Sequence, residues 1–438
     1  MSEDADQGSG GSARQRQPRR RTGKEAGTHH VYLVPGFLGF ANLGRLTYFG
    51  HVRRILVERF EAFGVDARIH VVRTQPTTSL PGRASRLADT IAATAGDGDG
   101  PIHLIGHSSG GLDVRLLTSP GVALRTRRDL PRLTARVRTV VTVATPHHGT
   151  PLASFFTTLQ GQRLLQLLAL GTIYVLHFGS LPLSALLWMG GVYSRVDNLF
   201  MNNELLDELF GRLFTDFTPA RRRSVHAILG EVVSDQALML QLTPEAMDVF
   251  NAAVGPHPGA RYGAVVTQAA RPGLGTTIGA GLDPGAQVTL AIYGALYSLA
   301  AATPPHLTPR LAPEVARALR HTYGAVPSNA DNDGIVPTRS QAWGHLLHAA
   351  VADHLDVLGF FRDASLDPPH VDWIVTGSGF TRPHFEALWD DVSRFVVGEH
   401  ASSATGIDPD KDGAAVRGGD DGIAVRGERS SRATGTTS

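Results

Sequence analysis

The sequence predicts an α/β fold: a mostly parallel, doubly wound sheet with an apolar, lid-like insertion. Three observations predict it. From residue 30 onward, short apolar or β-branched runs alternate with amphipathic helical stretches, a pattern that builds a parallel sheet covered on both faces. One run, Ile102-His103-Leu104-Ile105, leads into Gly106-His107-Ser108-Ser109-Gly110, a G-x-S-x-G turn that precedes a helical stretch. Between Arg163 and Arg195 there is no charged residue, which no ordinary solvated loop would sustain.

Composition bounds the function. The chain has 438 residues, 42% hydrophobic and 18% charged, with a net charge of +1, so no bulk field calls for a nucleic-acid partner. Among the 41 basic residues only Lys24 and Lys411 are lysines, which reads as codon bias. There is no cysteine, which excludes disulfides, thiolate metal sites and cysteine catalysis together.

Residues 1–28 are polar, Gly/Ser-rich and basic, and are expected to form a disordered arm. No apolar segment follows their arginines, so no secretory signal is visible and a cytoplasmic location is expected. An α/β domain is expected over residues 29–397. His30-Val31-Tyr32-Leu33-Val34 is its first strand and runs into the loop Pro35-Gly36-Phe37-Leu38-Gly39. Residues 51–63 have helical periodicity, 67–72 form a strand, 83–95 a helix, 112–117 the helix after the serine turn, and 137–143 a β-branched strand.

The insertion spans about residues 152–222. Its uncharged part is long enough to cross a membrane, but one span would separate Ser108 from every candidate partner downstream. Two spans fail because Pro182 and the glycines at 171, 179, 190 and 191 leave halves too short. A lid or pocket wall, buried core helices and insertion into a lipid interface stay open, with the lid preferred. Farther on, residues 203–214 read as helix, 225–229 as a short strand, 244–254 as a helix after Thr243-Pro244, and 261–268 as a strand. Residues 273–285 and 288–302 read as insertions near the pocket. A polar turn at 329–337, a strand at 371–375, a helix at 384–397 and a disordered tail at 398–438 complete the chain.

The serine turn carries the chemistry. Gly106 and Gly110 have a mechanical reason, since side chains there would strike the neighbouring strand and helix around a strained serine. Serine is a poor nucleophile near neutral pH, so it needs a base to take its proton and an acid to orient that base.

Several segments, in order, resemble the bacterial triacylglycerol lipases and related esterases of the α/β-hydrolase superfamily. They are Val34-Pro35-Gly36-Phe37-Leu38-Gly39, Tyr48-Phe49-Gly50, the turn at 106–111, Ala144-Thr145-Pro146-His147-His148-Gly149-Thr150-Pro151, Leu242-Thr243-Pro244-Glu245-Ala246-Met247, Asn332-Asp333-Gly334-Ile335-Val336-Pro337 and Asp353-His354-Leu355-Asp356. The resemblance covers about residues 30–361 and implies an α/β-hydrolase fold with Ser108 as nucleophile, Asp333 as acid and His354 as base, in the superfamily's chain order. Asp333 is preferred to Asp331 because Asn-Asp-Gly-Ile-Val matches the family segment. His354 is preferred to His348, His370 and His384 on its Asp-His-Leu-Asp setting.

The resemblance also implies an oxyanion hole made by the backbone N–H groups of Phe37 and Ser109, although Pro35-Gly36 stands where many such lipases have His-Gly. Similar lipases hold a structural calcium with two aspartates. Asp356 matches one of these positions, but between residues 285 and 329 the only acidic residue is Glu314, so no metal is expected. The expected function is hydrolysis of carboxylic esters with aliphatic acyl chains through an acyl-serine, with no cofactor, on a lipid or other small ester, and with peripheral lipid contact through the apolar insertion. Acyl transfer, thioester cleavage or polyester cleavage would use the same three residues. An inactive fold that only binds would have no reason to keep all three.

Overall fold

The computed structural model describes residues 27–37, 48–178, 211–279, 284–363 and 375–398, apart from single positions within them, and residues 365, 370 and 372. Most of the expected basic arm, the tail, the stretch 179–210 and most of the expected strand at 371–375 lie outside the described residues.

Six strands form one sheet: β1 (His29–Val34), β2 (Ala67–Val71), β3 (Ile102–His107), β4 (Val137–Val143), β5 (Arg261–Gln268) and β6 (His345–Val351). Their order is β2-β1-β3-β4-β5-β6, and every neighbouring pair is parallel. The chain leaves β1 to one side to form β2, then returns past it to form β3, so the winding reverses between β1 and β3. In open α/β sheets the crevice beyond the carboxyl ends of such strands is where ligands bind. Here those ends carry the 35–37 loop and Ser108.

The helices are α1 (Gly50–Ala62), α2 (Leu80–Ala95), α3 (Gly110–Thr118), α4 (Leu130–Thr134), α5 (Pro151–Phe156), α6 (Leu159–Phe178), α7 (Pro219–Ser234), α8 (Ala237–Gln241), α9 (Pro244–Ala253), α10 (Leu274–Gly279), α11 (Pro284–Ala300), α12 (Pro313–Tyr323) and α13 (Arg382–Val397). Side chains alternate across a strand, and β1 shows how this feeds two cores. Tyr32 and Val34 pack with Leu87 and Ile91 of α2 and Leu112 and Leu116 of α3. Val31 and Leu33 face the other way, onto Val52 and Leu56 of α1 and Leu388, Trp389 and Val392 of α13. Helix starts follow local chemistry: Ser79 accepts from the Gly82 N–H ahead of α2, and Thr381 with His384 forms a reciprocal cap on α13.

One expectation needs correction. Residues 225–229 are not a strand but lie inside α7, which starts at Pro219 and runs through Arg221-Arg222-Arg223; a five-residue apolar run cannot by itself distinguish strand from helix. The apolar residues 288–302, expected as an insertion near the pocket, fall mostly in the helix α11. Within the apolar insertion, the described helix α6 packs on α5 and α7, with Leu164, Leu165, Leu168, Leu170 and Tyr174 buried in the core. Among the described residues no helix is long and apolar enough to cross a membrane.

Candidate active site

Ser108 sits at the turn between β3 and α3 with φ of 55°, a left-handed conformation that costs a non-glycine residue about 1–3 kcal/mol and persists only where the surroundings enforce it. They do so from three sides. Its N–H donates to Val143 O at 2.9 Å, and a Cβ on Gly106 or Gly110 would collide with the backbone of α3 or with Val34 and Pro35. Gly36 closes the fourth side: a Cβ there would lie 2.5 Å from Ser108 Cβ and 2.9 Å from its Oγ. Ser109 directly precedes α3, where the first N–H groups have no partner within the helix and the helix dipole is positive.

Asp333 and His354 come from loops beyond β5 and β6 and meet in the interior. His354 Nδ1–H donates to Asp333 Oδ2 at 2.8 Å, with side-chain exposures of 5% and 0%. The His354 backbone N–H also donates to Asp333 O at 3.1 Å. Asp333 is held on every side. Its Oδ1 accepts from the Ile335 and Val336 N–H groups at 3.0 and 2.8 Å, and its Oδ2 from the Thr267 hydroxyl at 2.7 Å and Gln341 Nε2 at 3.2 Å. With Nδ1 protonated, Nε2 of His354 keeps its lone pair and can accept a proton. Among the described residues Ser108 Oγ makes no hydrogen bond to His354, a contact that in unliganded sites commonly tightens only with substrate.

The competing residues are occupied elsewhere. Asp331 holds Arg271 at 2.6 Å and the Ser328 N–H and hydroxyl. His348 pairs with Asp391 at 2.8 Å, His384 caps α13, and His370 packs against His51 with ring centroids 3.6 Å apart.

His107 ties these parts together. Its Nε2 lies 2.9 Å from His354 O, its ring centroid 4.7 Å from that of His354, and its Nδ1 2.6 Å from Tyr48 OH. Tyr48 OH in turn accepts from Gly36 N–H at 3.3 Å. On the other side of the loop, Arg83 donates to Pro35 O at 2.6 Å while its guanidinium grips Asp113, both side chains fully out of solvent. Phe37 itself is buried. Sequence reasoning singles out Tyr48 only within a matching segment and passes over His107 and Arg83, because each acts through contacts distant in the chain. The variable position of G-x-S-x-G is the one available signal.

Beside His354, a cavity of about 30 Å³ is walled by Tyr293 and Leu296 of α11, with room for about one water rather than an acyl chain. A groove of about 1120 Å³ along α2, flanked by Arg86 and Arg127, contains none of the candidate residues, so size does not mark the site. Behind His354, Asp353 and Asp356 are buried together. Burial pushes the Asp353 carboxyl up to about 6, and burial beside Asp353 raises that of Asp356 well above its ordinary value. Asp356 Oδ2 accepts from the Asp353 N–H at 2.9 Å and the Ser378 hydroxyl at 2.7 Å, so that oxygen is already engaged within the chain. Among the described residues no three His, Asp or Glu side chains converge as a metal-ligand set.

Neither a family model nor a curated protein matches the chain. Solved structures do. EstA from Clostridium botulinum is 18% identical, with a TM-score of 0.48 over 84% of this chain and 87% of that one. Lipase 1 from Pelosinus fermentans is 18% identical, with 0.46 over 84% and 98%, and Staphylococcus hyicus lipase is 15% identical, with 0.45 over 85% and 96%. The solved structures to which this chain is similar thus include bacterial lipases and esterases, at 15–18% identity.

Proposed function

We propose that the chain is a serine hydrolase that cleaves carboxylic esters through an acyl-serine. One observation carries this reading: a serine held at φ 55° on a strand-to-helix turn directly follows the residue whose ring packs on His354, itself bonded at 2.8 Å to a buried carboxylate. In the first half-reaction His354 Nε2 takes the Ser108 proton as Oγ bonds to the ester carbonyl carbon. The carbonyl oxygen becomes an oxyanion, met by the N–H groups of Ser109 and Phe37. Collapse breaks the C–O bond to the alcohol, which leaves with the proton from His354, and the acyl group stays on Ser108. Water then repeats the sequence, releasing the acid and restoring the serine. Asp333 accepts from His354 Nδ1 and fixes the histidine tautomer.

Aliphatic acyl chains and contact with a lipid surface are the finer part of the reading, and rest on the uncharged run between Arg163 and Arg195. That part predicts a rise in rate when a partly soluble ester passes its solubility limit. Substituting Leu183, Leu186 and Leu187 by Ser should abolish the rise. Acyl transfer and thioester or polyester cleavage share the first half-reaction, and no observation favours them. The core reading is tested by a fluorophosphonate probe with mass spectrometry: the adduct is expected on Ser108. An adduct only on Ser109, or none on folded protein, overturns it.

A further inference from the structure

The steps above give no part to two buried polar side chains that bond across the site, Tyr48 and His107, exposed by 4% and 1%. Their hydrogens can be placed in only one way. A carbonyl oxygen only accepts, so the 2.9 Å contact with His354 O puts the proton of His107 on Nε2. Burial holds the imidazole well below its ordinary pKa, hence neutral, so Nδ1 is bare and accepts. Tyr48 must therefore donate to it across 2.6 Å, which leaves the phenol oxygen's lone pairs to accept the Gly36 N–H at 3.3 Å. Reversing any one of these bonds would set two donors or two acceptors against each other.

The three bonds join three separate parts of the site. Gly36 is one residue before the Phe37 N–H, His107 is one before Ser108, and the last acceptor belongs to His354. Gly36 has no side chain with which to fix itself, and none would fit beside Ser108. The loop's place over the nucleophile is thus set by hydrogen bonds, from Arg83 to Pro35 O on one side and from Gly36 N–H to Tyr48 on the other.

We propose that Tyr48 is a positioning residue that, through His107, holds the oxyanion loop at residues 35–37 in register with Ser108 and the main chain of His354; the inference rests on the serine-hydrolase reading. Tyr48→Phe removes one oxygen and keeps the ring packed on Phe49. A shift of about 1 Å in a donor is enough to slow a reaction about 100-fold, so kcat should fall about 10- to 100-fold with KM within about threefold. A merely structural tyrosine would not weaken transition-state binding selectively. An alkylboronic acid, whose tetrahedral adduct on serine presents an oxygen to the oxyanion site, should therefore lose affinity by the same factor as kcat/KM. His107→Gln, which keeps a donor towards His354 O but loses the Nδ1 acceptor, should give a similar loss. The double variant should be no worse than either single by more than about twofold.

A wild-type protein that labels at Ser108, paired with a Tyr48→Phe variant whose kcat stays within about twofold, overturns the positioning role alone. That role also falls if kcat drops but boronate affinity does not, or if the two losses multiply. A wild type that does not label overturns the hydrolase reading and the inference with it. Should Tyr48→Phe fail to fold, His107→Gln carries the kinetic and boronate comparison by itself.

Discussion

Replacing Arg83 by Met is expected to be among the most damaging single changes outside the proposed reacting groups. Arg83 Nε lies 3.1 and 2.9 Å from the two oxygens of Asp113, NH2 lies 2.8 Å from Oδ2, and both side chains have 0% exposure. Methionine fills much of the volume but leaves the Asp113 carboxylate buried without a counter-charge, a defect worth about 3–5 kcal/mol. Pro35 O, also buried, loses its 2.6 Å donor, which adds about 1 kcal/mol; Gln75 O is on an exposed residue and can turn to water. The sum, about 4–6 kcal/mol, is a large share of the 5–15 kcal/mol that typically holds a domain folded. Asp113→Leu added to Arg83→Met removes the stranded charge, so the double variant should regain most of the loss and keep only the Pro35 defect. Urea unfolding of the two variants and the wild type measures this. A single variant that loses less than about 1 kcal/mol, or a double variant no more stable than the single, would refute the argument.

Asp333→Asn and His354→Ala should each lower kcat by about 10³ or more while the protein stays folded, whereas Asp331→Asn, whose carboxylate serves Arg271 and Ser328, should leave turnover nearly unchanged; steady-state kinetics decides. Gly36→Ala places a methyl 2.5 Å from Ser108 Cβ, so one of the two must move, and fluorophosphonate labelling should slow at least tenfold, by about the factor that misplaced reacting groups lose. Acid should destabilise the fold through buried histidines. Burial lowers His103 to about 3 and His51 to about 4 from 6.5, so their stabilising neutrality is complete above pH 6.5 and is lost as pH falls towards those values. Each should contribute a loss of about 2 kcal/mol between pH 6.5 and 5, and urea midpoints that stay flat over that range would contradict it.

Much of this architecture is legible in the sequence because the strands near the site are simple. Residues 30–34 and 102–105 are largely apolar and end at Pro35 and the serine turn, while 137–143 is rich in β-branched residues and buried except at Arg138; they correspond to β1, β3 and β4. β6 is not legible: His345-Leu346-Leu347-His348-Ala349-Ala350-Val351 has neither alternation nor strong strand formers, and its pairing with β5 decides its state. Local motifs point to the pairing of Asp333 with His354, and the geometry separates it physically from His348, His370 and His384. The bonds among Tyr48, His107, Arg83 and Asp113 link positions 30 to 59 residues apart, and no local pattern encodes that closeness.

The order of the sheet also decides when the serine can acquire its conformation during folding. No two neighbouring strands are joined by a hairpin, so each pairing needs a crossover through a helix, and sheets built this way form late and slowly. Ser108 is held by Val143 at the end of β4 and is closed in by Gly36 beyond β1, on opposite sides of β3. A chain with β1–β3 paired but β4 not yet docked has the motif but nothing to enforce φ at 55°, and the serine would relax to an ordinary turn. Regain of the proposed esterase activity on refolding should therefore report the docking of β4 rather than the first collapse, and lag behind the return of helical signal.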